Sequence, residues 1–256
     1  MKTGSEDSVL ITGASSGIGA ALAAACAQRG VAHLFLCGRN AERLEAVAAR
    51  CRALGVAVDA EPLDVTDERA CRAWIERCDA ESPLTLVFAN AGVSTGVEAE
   101  AHTRRTFAVN VGGVLNTVFP ALGCFRRRPA APRRQIVITA SIAGYHGLTS
   151  APAYSASKAA VKAWAAGLRG ALMIEGIRVN AVCPGFVRSR ITDANTCPMP
   201  FFMEAEEAAE IILRRVDRNV GLIAFPWAMR LAAWLLSILP DRLSACIYGR
   251  LPAKME

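Results

Sequence analysis

A chain of 256 residues, 53% of them hydrophobic, can bury a large core, and we expect one domain spanning residues 1–256. Its net charge of +6 is dispersed along predicted helices without interleaved aromatic side chains, which argues against a nucleic-acid-binding protein. The nine cysteines form neither a C-x-x-C pair nor a zinc pattern with histidine, and the polar start lacks an apolar signal segment, so we expect a cytoplasmic protein with reduced cysteines and no metal.

Short apolar strands alternate with helical patterns along the chain. The predicted strands are 9–12, 34–37, 56–62, 84–89, 135–140 and 177–182. The predicted helices are 17–29, 41–54, 67–78 (with Thr66 as its cap), 101–125 and 153–175. Near-continuous apolar strands are typical of parallel sheets buried on both faces. The alternation therefore predicts an α/β fold of Rossmann type, a doubly wound parallel sheet with helices on both faces, whose ligands bind beyond the carboxyl ends of the strands.

A glycine-rich turn lies between the first strand and the first helix. It reads Thr12-Gly13-Ala14-Ser15-Ser16-Gly17-Ile18-Gly19. Gly13 permits a sharp turn, Gly17 lets the backbone approach a pyrophosphate, and Gly19 lets the helix pack close to the strand. The amides and the positive dipole end of the helix can then bind phosphates. The turn predicts a dinucleotide site that includes Ser15, Ser16 and Ile18.

Tyr154 and Lys158 stand four residues apart, on one face of a predicted helix. A lysine cation one turn away favours the phenolate, so we expect Lys158 to lower the pKa of Tyr154 and the pair to act as acid or base. Alone, such a pair is most often a solvated helix face. Here Asn90-Ala91-Gly92 follows an apolar strand, Asn110 lies in a predicted helix, and Ser141 precedes Tyr154 by thirteen residues.

Together these motifs resemble those of the classical short-chain dehydrogenases/reductases, and the resemblance extends to about Ile191. It implies a nicotinamide dinucleotide and catalytic roles for four residues. Tyr154 would exchange the proton, Ser141 would orient the substrate oxygen, Lys158 would also hold the nicotinamide ribose, and Asn110 would anchor a relay water. The resemblance implies further cofactor contacts from Asp64, Val65, Asn90, Ala91, Gly92, Pro184, Gly185, Val187 and Ser189.

The end of the second strand bears on the choice of cofactor. It reads Cys37-Gly38-Arg39-Asn40, with no carboxylate to bind the adenosine ribose or repel a 2′-phosphate. Arg39 offers a planar donor fork suited to phosphate. We therefore predict NADP(H) in preference to NAD(H). The alternative is that Arg39 is only a surface residue at a helix start.

The predicted substrate contacts are His146, Phe186, Phe201 and Phe202, the last two on a mobile substrate loop at 190–204. Their apolar character favours a lipophilic or medium-sized organic carbonyl or alcohol. The alternatives are a cofactor-binding regulatory or scaffold protein and a non-redox epimerase or dehydratase on the same fold.

Two segments lie outside these motifs. The arginine-rich segment 126–134 is expected to be a solvated loop, with an anionic partner as the alternative. The apolar extension 225–256 carries a stripe at helical spacing, formed by Trp227, Leu231, Trp234, Leu235 and Ile238. The 13 residues between its prolines are too few to span a bilayer. We expect the stripe to pack against the protein or its twin, with a membrane surface as the alternative; the resemblance also implies a homodimer or homotetramer.

Overall fold

The computed structural model describes residues 2–94, 99–129, 131–193, 198–240 and 243. The strands are β1 (Ser8–Thr12), β2 (His33–Gly38), β3 (Ala57–Pro62), β4 (Leu86–Ala89), β5 (Gln135–Thr139), β6 (Arg178–Pro184) and β7 (Leu222–Phe225). The α-helices are α1 (Gly17–Gln28), α2 (Ala41–Arg52), α3 (Glu68–Glu81), α4 (Glu100–Phe107), α5 (Gly113–Arg126), α6 (Pro152–Ala171), α7 (Arg190–Asp193), α8 (Ala205–Asp217) and α9 (Trp227–Ser237). A π-helical turn at Ala108–Gly112 joins α4 to α5, and short 3₁₀ turns cover Ile142–Gly144 and Met173–Glu175.

The strands form one parallel sheet in the order β3-β2-β1-β4-β5-β6-β7. The chain runs outward from β1 to β3 and then returns to the other side of β1 with β4. The crevice between the carboxyl ends of β1 and β4 is therefore the switch point at which doubly wound sheets bind ligands. The predicted fold class is confirmed.

The sheet is buried on both faces because its strands are apolar on both faces. In β1, Val9 and Ile11 belong to the core under α1, α2 and α8, whereas Leu10 belongs to the core under α3, α5 and α6. Each strand residue thus points to the face opposite its neighbours. The described cysteines are free and buried, as expected.

Some elements differ from the sequence prediction. The N-cap of α3 is Asp67 rather than Thr66, because the Asp67 side chain accepts a hydrogen bond from the Ala70 amide at 2.9 Å. The helix predicted at 101–125 is interrupted by the π-helical turn at Ala108–Gly112. Helix α8 and strand β7 were not predicted.

The expectation of a solvated loop is wrong for the end of the arginine-rich segment. Arg133 is 1% exposed, and its guanidinium donates to the Asp7 carboxylate at 3.0 Å. Arg134 is also buried and donates to the Glu175 carbonyl oxygen at 2.6 Å. These arginines therefore fix the start of β5 within the domain, and they are not available to an anionic partner.

Helix α9 packs on the domain by a different face from the one expected. Met229 and Ala233 face the core, whereas the residues of the predicted stripe are exposed. By length and composition the helical stretch Glu100–Arg126 could cross a membrane, but 56% of its apolar window is buried, and a core helix passes the same test. That stretch packs against β4, α3 and α6 inside the domain.

Candidate functional site

A cleft of about 530 Å³ opens at the carboxyl edge of the sheet. Residues predicted to bind the cofactor or act in catalysis line it: Gly13, Ser15, Ser16, Gly17, Ile18, Arg39, Asp64, Val65, Asn90, Ala91, Gly92, Ser141, Tyr154, Lys158, Pro184, Gly185, Val187 and Ser189. Gly19 lies behind this lining, against the carbonyl of Gly13 and the side chain of Asn90. The parallel strands thus bring together residues that lie far apart in the sequence.

The glycine turn packs closely against two neighbouring segments of the cleft. Gly13 has φ of +70°, and a Cβ added there would lie 2.8 Å from the Cα of Ala91. Gly17 has φ of +54°, and a Cβ there would lie 2.9 Å from the Cβ of Ser189. Both the conformation and the close approach require glycine, so a side chain at either position would distort the turn.

One end of the cleft is formed after β2. The Asn40 side chain accepts a hydrogen bond from the Arg43 amide at 2.8 Å and so fixes the start of α2. Arg39 and Arg43 line the cleft on either side of this cap, and both are exposed. Within the described parts of the chain neither arginine forms an ion pair. Sequence reasoning missed Arg43, although it stands one turn after Arg39.

Asp64 follows β3 and lines the same cleft. Its carboxylate accepts hydrogen bonds from the backbone amide and hydroxyl of Thr66 at 3.0 and 2.9 Å, and it pairs with Arg105 at 2.9 Å. Burial alone would raise the pKa of Asp64, but the hydrogen bonds from Thr66 and Arg105 outweigh it, so the pKa lies below its usual value. Arg105 was missed because it comes from α4, 41 residues away in sequence.

Asn90 connects three strands at the floor of the cleft. Its amide group donates to the Thr12 carbonyl at 3.2 Å, and its backbone N–H donates to the Thr12 hydroxyl at 3.0 Å. The Thr139 hydroxyl donates to the Asn90 side-chain oxygen at 3.1 Å. These bonds hold the ends of β1, β4 and β5 in fixed relation, and so position the residues that follow each strand.

Ser141, Tyr154 and Lys158 meet at the opposite end of the cleft. Ser141 follows β5, and its hydroxyl accepts a hydrogen bond from the Ala143 amide at 3.1 Å and also bonds the Tyr154 hydroxyl. The Lys158 ammonium donates to the Thr139 carbonyl at 2.9 Å and lies 5.9 Å from the centroid of the Tyr154 ring. A proton donor, a hydroxyl and a cation therefore face the same space.

Burial controls the protonation of this group. Lys158 is 3% exposed, and burial lowers its pKa to about 8. Burial also raises the pKa of Tyr154, while the hydrogen bond with Ser141 lowers it, and the net direction is upward. The pKa of Tyr154 therefore does not lie below its usual value as expected, because desolvation of the phenolate outweighs the effects that favour it.

Asn110 lies in the π-helical turn, behind the catalytic end. Its side-chain oxygen accepts from the Val93 amide at 2.8 Å, and its amide group donates to the Val93 carbonyl at 2.9 Å and to the Ser157 hydroxyl at 3.0 Å. The side chain therefore has a structural role, because it satisfies the backbone groups of Val93. It does not line the cleft itself.

The segment after β6 crosses the floor beneath these residues. Val187 forms a parallel bridge with Met203, in which the Phe186 carbonyl accepts from Met203 at 3.0 Å and the Arg188 amide donates to Met203 at 2.9 Å. In a parallel bridge the paired residue's own N–H points to the opposite side. The Val187 N–H is therefore not used by the bridge.

None of the four predicted substrate contacts lines the cleft. Phe201 is exposed. Phe202 lies against Arg188, with its ring centroid 5.2 Å from the guanidinium carbon. Phe186 takes part in the bridge to Met203 through its backbone, and His146 lines a separate groove of about 320 Å³. An apolar side chain near a catalytic motif in sequence does not by itself define a pocket wall.

Helix α9 reaches the catalytic end from outside the motifs. A Cβ on Gly185 would lie 2.8 Å from the Met229 sulfur, so Met229 covers this part of the cleft floor. The Arg230 guanidinium lies beside the Tyr145 hydroxyl, and the Lys162 ammonium lies 3.7 Å from the centroid of the Tyr145 ring. Sequence reasoning missed this contact because no local pattern relates α9 to the loop after Ser141.

Comparisons with known proteins agree with this arrangement. The family model for short chain dehydrogenases matches residues 7–198. The chain is 38% identical over 239 residues to an uncharacterized oxidoreductase of Myxococcus xanthus, covering 91% of this chain and 93% of the relative. It is 34% identical over 220 residues to cis-4-hydroxycyclohexanecarboxylate dehydrogenase of Sinomonas cyclohexanicum, covering 79% and 86%.

A solved structure extends the comparison to the whole chain. The short chain dehydrogenase/reductase of Burkholderia phymatum, solved in complex with NAD, superposes with a TM-score of 0.84 at 25% identity. The superposition covers 100% of this chain and 99% of that one. The chain therefore belongs to the short-chain dehydrogenase/reductase family, whose members are NAD(P)-dependent oxidoreductases.

Proposed function

We propose that the protein is an NADP(H)-dependent oxidoreductase that interconverts a carbonyl and a secondary alcohol on a lipophilic or medium-sized organic substrate. One observation carries the proposal: Ser141, Tyr154 and Lys158 converge at one end of a cleft whose other end is lined by Arg39 and Arg43. The first group suits proton transfer to a substrate oxygen, and the second suits a phosphate.

The residues of the cleft fit a nicotinamide dinucleotide. The backbone at Gly13 and Gly17, which both line the cleft, would accept the pyrophosphate against the start of α1. Asp64 would bond the adenine edge, and the Val187 N–H would bond the carboxamide. When bound, the cofactor supplies or accepts the hydride.

The catalytic residues would move one proton. In reduction, the Tyr154 hydroxyl donates its proton to the substrate oxygen, while the Ser141 hydroxyl donates a hydrogen bond to the same atom. The Lys158 cation stabilises the phenolate left on Tyr154. Because its pKa is about 8, Lys158 can exchange a proton with solvent near neutral pH, and Asn110 would hold the relay water. In oxidation the same residues act in reverse.

The preference for NADP(H) rests on the two arginines. Their guanidinium groups flank the cap of α2, and no carboxylate from the described residues pairs with either. Two unpaired cations favour a 2′-phosphate over a ribose hydroxyl. An acidic residue, which would repel that phosphate, is lacking in the segment Cys37–Asn40.

The substrate class is supported by the inner wall and by one relative. Met229 adds an apolar side chain beside the catalytic end. The Sinomonas relative is named for a secondary alcohol on a cyclohexane ring, which is a medium-sized and partly apolar substrate. Both features favour a ring or chain alcohol over a small polar one.

A titration of the purified protein with NADPH and NADH, followed by nicotinamide fluorescence, tests the cofactor, and loss of NADPH absorbance with a panel of cyclic and long-chain ketones tests the reaction. We expect tighter binding of NADPH and turnover with at least one ketone. Equal or tighter binding of NADH would contradict the cofactor preference. Tight NADPH binding without turnover on any ketone or alcohol would favour a binding role.

We also propose a homodimer or homotetramer that uses the α5–α6 surface. Phe119 is 53% exposed on α5, and its ring lies 5.7 Å from that of Trp164 on α6. An exposed Phe119 beside the partly buried Trp164 on the adjacent helix favours a position in an interface. Light scattering after gel filtration should give a multiple of the 27.2 kDa chain mass, and Phe119→Asp should reduce it to the monomer.

A further inference from the structure

The outward side of α9 presents an apolar surface that the described part of the domain leaves uncovered. We call it the outer face of α9, formed by Trp227, Leu231, Trp234, Leu235 and Ile238. These side chains are between 47% and 76% exposed. Single exposed apolar residues are common in soluble proteins, whereas five on one face of one helix make a continuous patch.

The orientation of α9 is set by its inner face. Met229 lies against Gly185, and Ala233 packs on the core beneath the sheet's carboxyl edge. The Arg230 guanidinium lies beside Tyr145 on the loop after Ser141. These contacts determine which side of the helix meets the domain, so the exposure of the outer face is a property of the packing.

The charge around the helix suits an anionic partner. No acidic residue occurs between Asp217 and Asp241 in the sequence, α9 carries the exposed Arg230, and the chain has a net charge of +6. Tryptophan is favoured at the boundary between lipid tails and headgroups, and Trp227 lies at the start of the outer face. A helix of 11 residues is too short to span a bilayer but long enough to lie in its interface.

We infer that the outer face of α9 docks the protein on an anionic lipid surface. A membrane fits better than a second copy of the chain, because tryptophan and leucine beside an arginine, with no acid from the same segment, are typical of helices that lie on anionic lipid. The apolar side chains would enter the headgroup region, and the exposed Arg230 at the edge of the face would lie near the lipid phosphates.

The docked orientation would also serve the catalytic end. The N-terminal turn of α9 touches the cleft floor at Gly185, so the cleft opens next to the lipid. Phe201 and Phe202 are also exposed, beside the bridge from Met203 to Val187. Delivery of a substrate dissolved in the membrane rests on the proposed function, whereas the docking does not.

Co-sedimentation of the full-length protein with sucrose-loaded vesicles tests the inference. The vesicles contain phosphatidylcholine, alone or with phosphatidylglycerol. The test variant is Trp227→Ser with Trp234→Ser, and the control is Met173→Ser with Ile174→Ser, which removes apolar side chains of 73% and 90% exposure on another surface. We expect the wild type and the control to pellet with the anionic vesicles. The partition coefficient of the test variant should be lower by about tenfold or more.

Several results would overturn the inference. The wild-type protein could stay in the supernatant, or the test variant could pellet as well as the control. The wild type could instead be a dimer that does not bind vesicles, with only the test variant being a monomer. That result would assign the face to self-association. If the test variant does not fold, vesicles of brominated phosphatidylcholine with phosphatidylglycerol should still quench wild-type tryptophan fluorescence, and no quenching would exclude docking. None of these measurements requires NADPH or turnover, so failure of the docking can be distinguished from failure of the proposed function.

Discussion

The two ends of the cleft differ in how much water their charged groups meet. At the catalytic end, Lys158 and Ser141 are buried, and every polar atom of the Asn110 side chain is hydrogen-bonded. At the adenosine end, Arg39 and Arg43 are exposed.

Low local dielectric strengthens electrostatic effects at the buried end, and water and salt weaken them at the exposed end. The same kind of substitution should therefore have a large effect at the catalytic end and a small one at the adenosine end. The buried charge of Lys158 also costs stability, whereas exposed arginines cost little.

The largest effect is expected from Tyr154→Phe, which removes the proton donor from the buried end. The kcat/KM for ketone reduction should fall by about 10²- to 10⁴-fold. NADPH affinity should remain close to that of the wild type, because the ring and its neighbours stay in place. Steady-state rates and fluorescence titration measure the two quantities. Retained turnover would exclude Tyr154 as the proton donor.

Lys158→Met tests the cost of a buried cation. A pKa lowered from 10.5 to about 8 corresponds to about 3 kcal/mol of stability lost below pH 8, where Lys158 is charged in both the folded and the unfolded protein. The cost declines between pH 8 and 10.5 and vanishes above, where both states are neutral. Urea unfolding should show the variant to be more stable at pH 7, by up to that amount, and equal at pH 11. A less stable variant at pH 7 would contradict the argument.

At the exposed end, Arg39→Asp with Arg43→Asp should weaken NADPH binding by about 10- to 100-fold and leave NADH binding within a few-fold. The wild-type preference for NADPH should also decrease with rising salt, because both guanidinium groups meet water. Arg50→Asp, on the same helix but outside the cleft, is the control for the change in net charge. An equal loss for both cofactors would show that the arginines do not read the 2′-phosphate.

The sequence was sufficient for the sheet and most of the cleft, because both depend on local rules. Apolar strands bounded by glycine or polar residues predict parallel strands, and parallel strands bring their carboxyl ends together. Gly13, Asn90 and Tyr154 therefore line one cleft although they are far apart in the chain.

Features that depend on burial could not be predicted in the same way. The stripe on α9 shows that one face is apolar, but Met229 and Ala233 pack inward instead, because small and flexible side chains fit against the cleft floor. Spacing suggested that Lys158 lowers the Tyr154 pKa, whereas desolvation raises it. Arg133 looked solvated because its partner, Asp7, lies at the other end of the sequence.

The smallest effect is expected from Arg105→Gln, which removes the ion pair with Asp64 at the exposed end. Since the two side chains are 40% and 33% exposed, the pair should contribute less than about 1 kcal/mol at pH 7. The pKa of Asp64 in the folded protein lies below its ordinary value of 3.8. The stabilisation is therefore fully present above pH 3.8, and it is lost as the pH falls through the pKa of the folded protein. Thr66 still bonds the carboxylate in the variant, so an NMR titration should show only a partial rise of the Asp64 pKa.

Arg104→Gln, which breaks a more exposed pair with Glu100, is the matched control. A loss above about 2 kcal/mol for Arg105→Gln alone would mean that water screens this end much less than its exposure implies, and the contrast between the two ends would no longer hold.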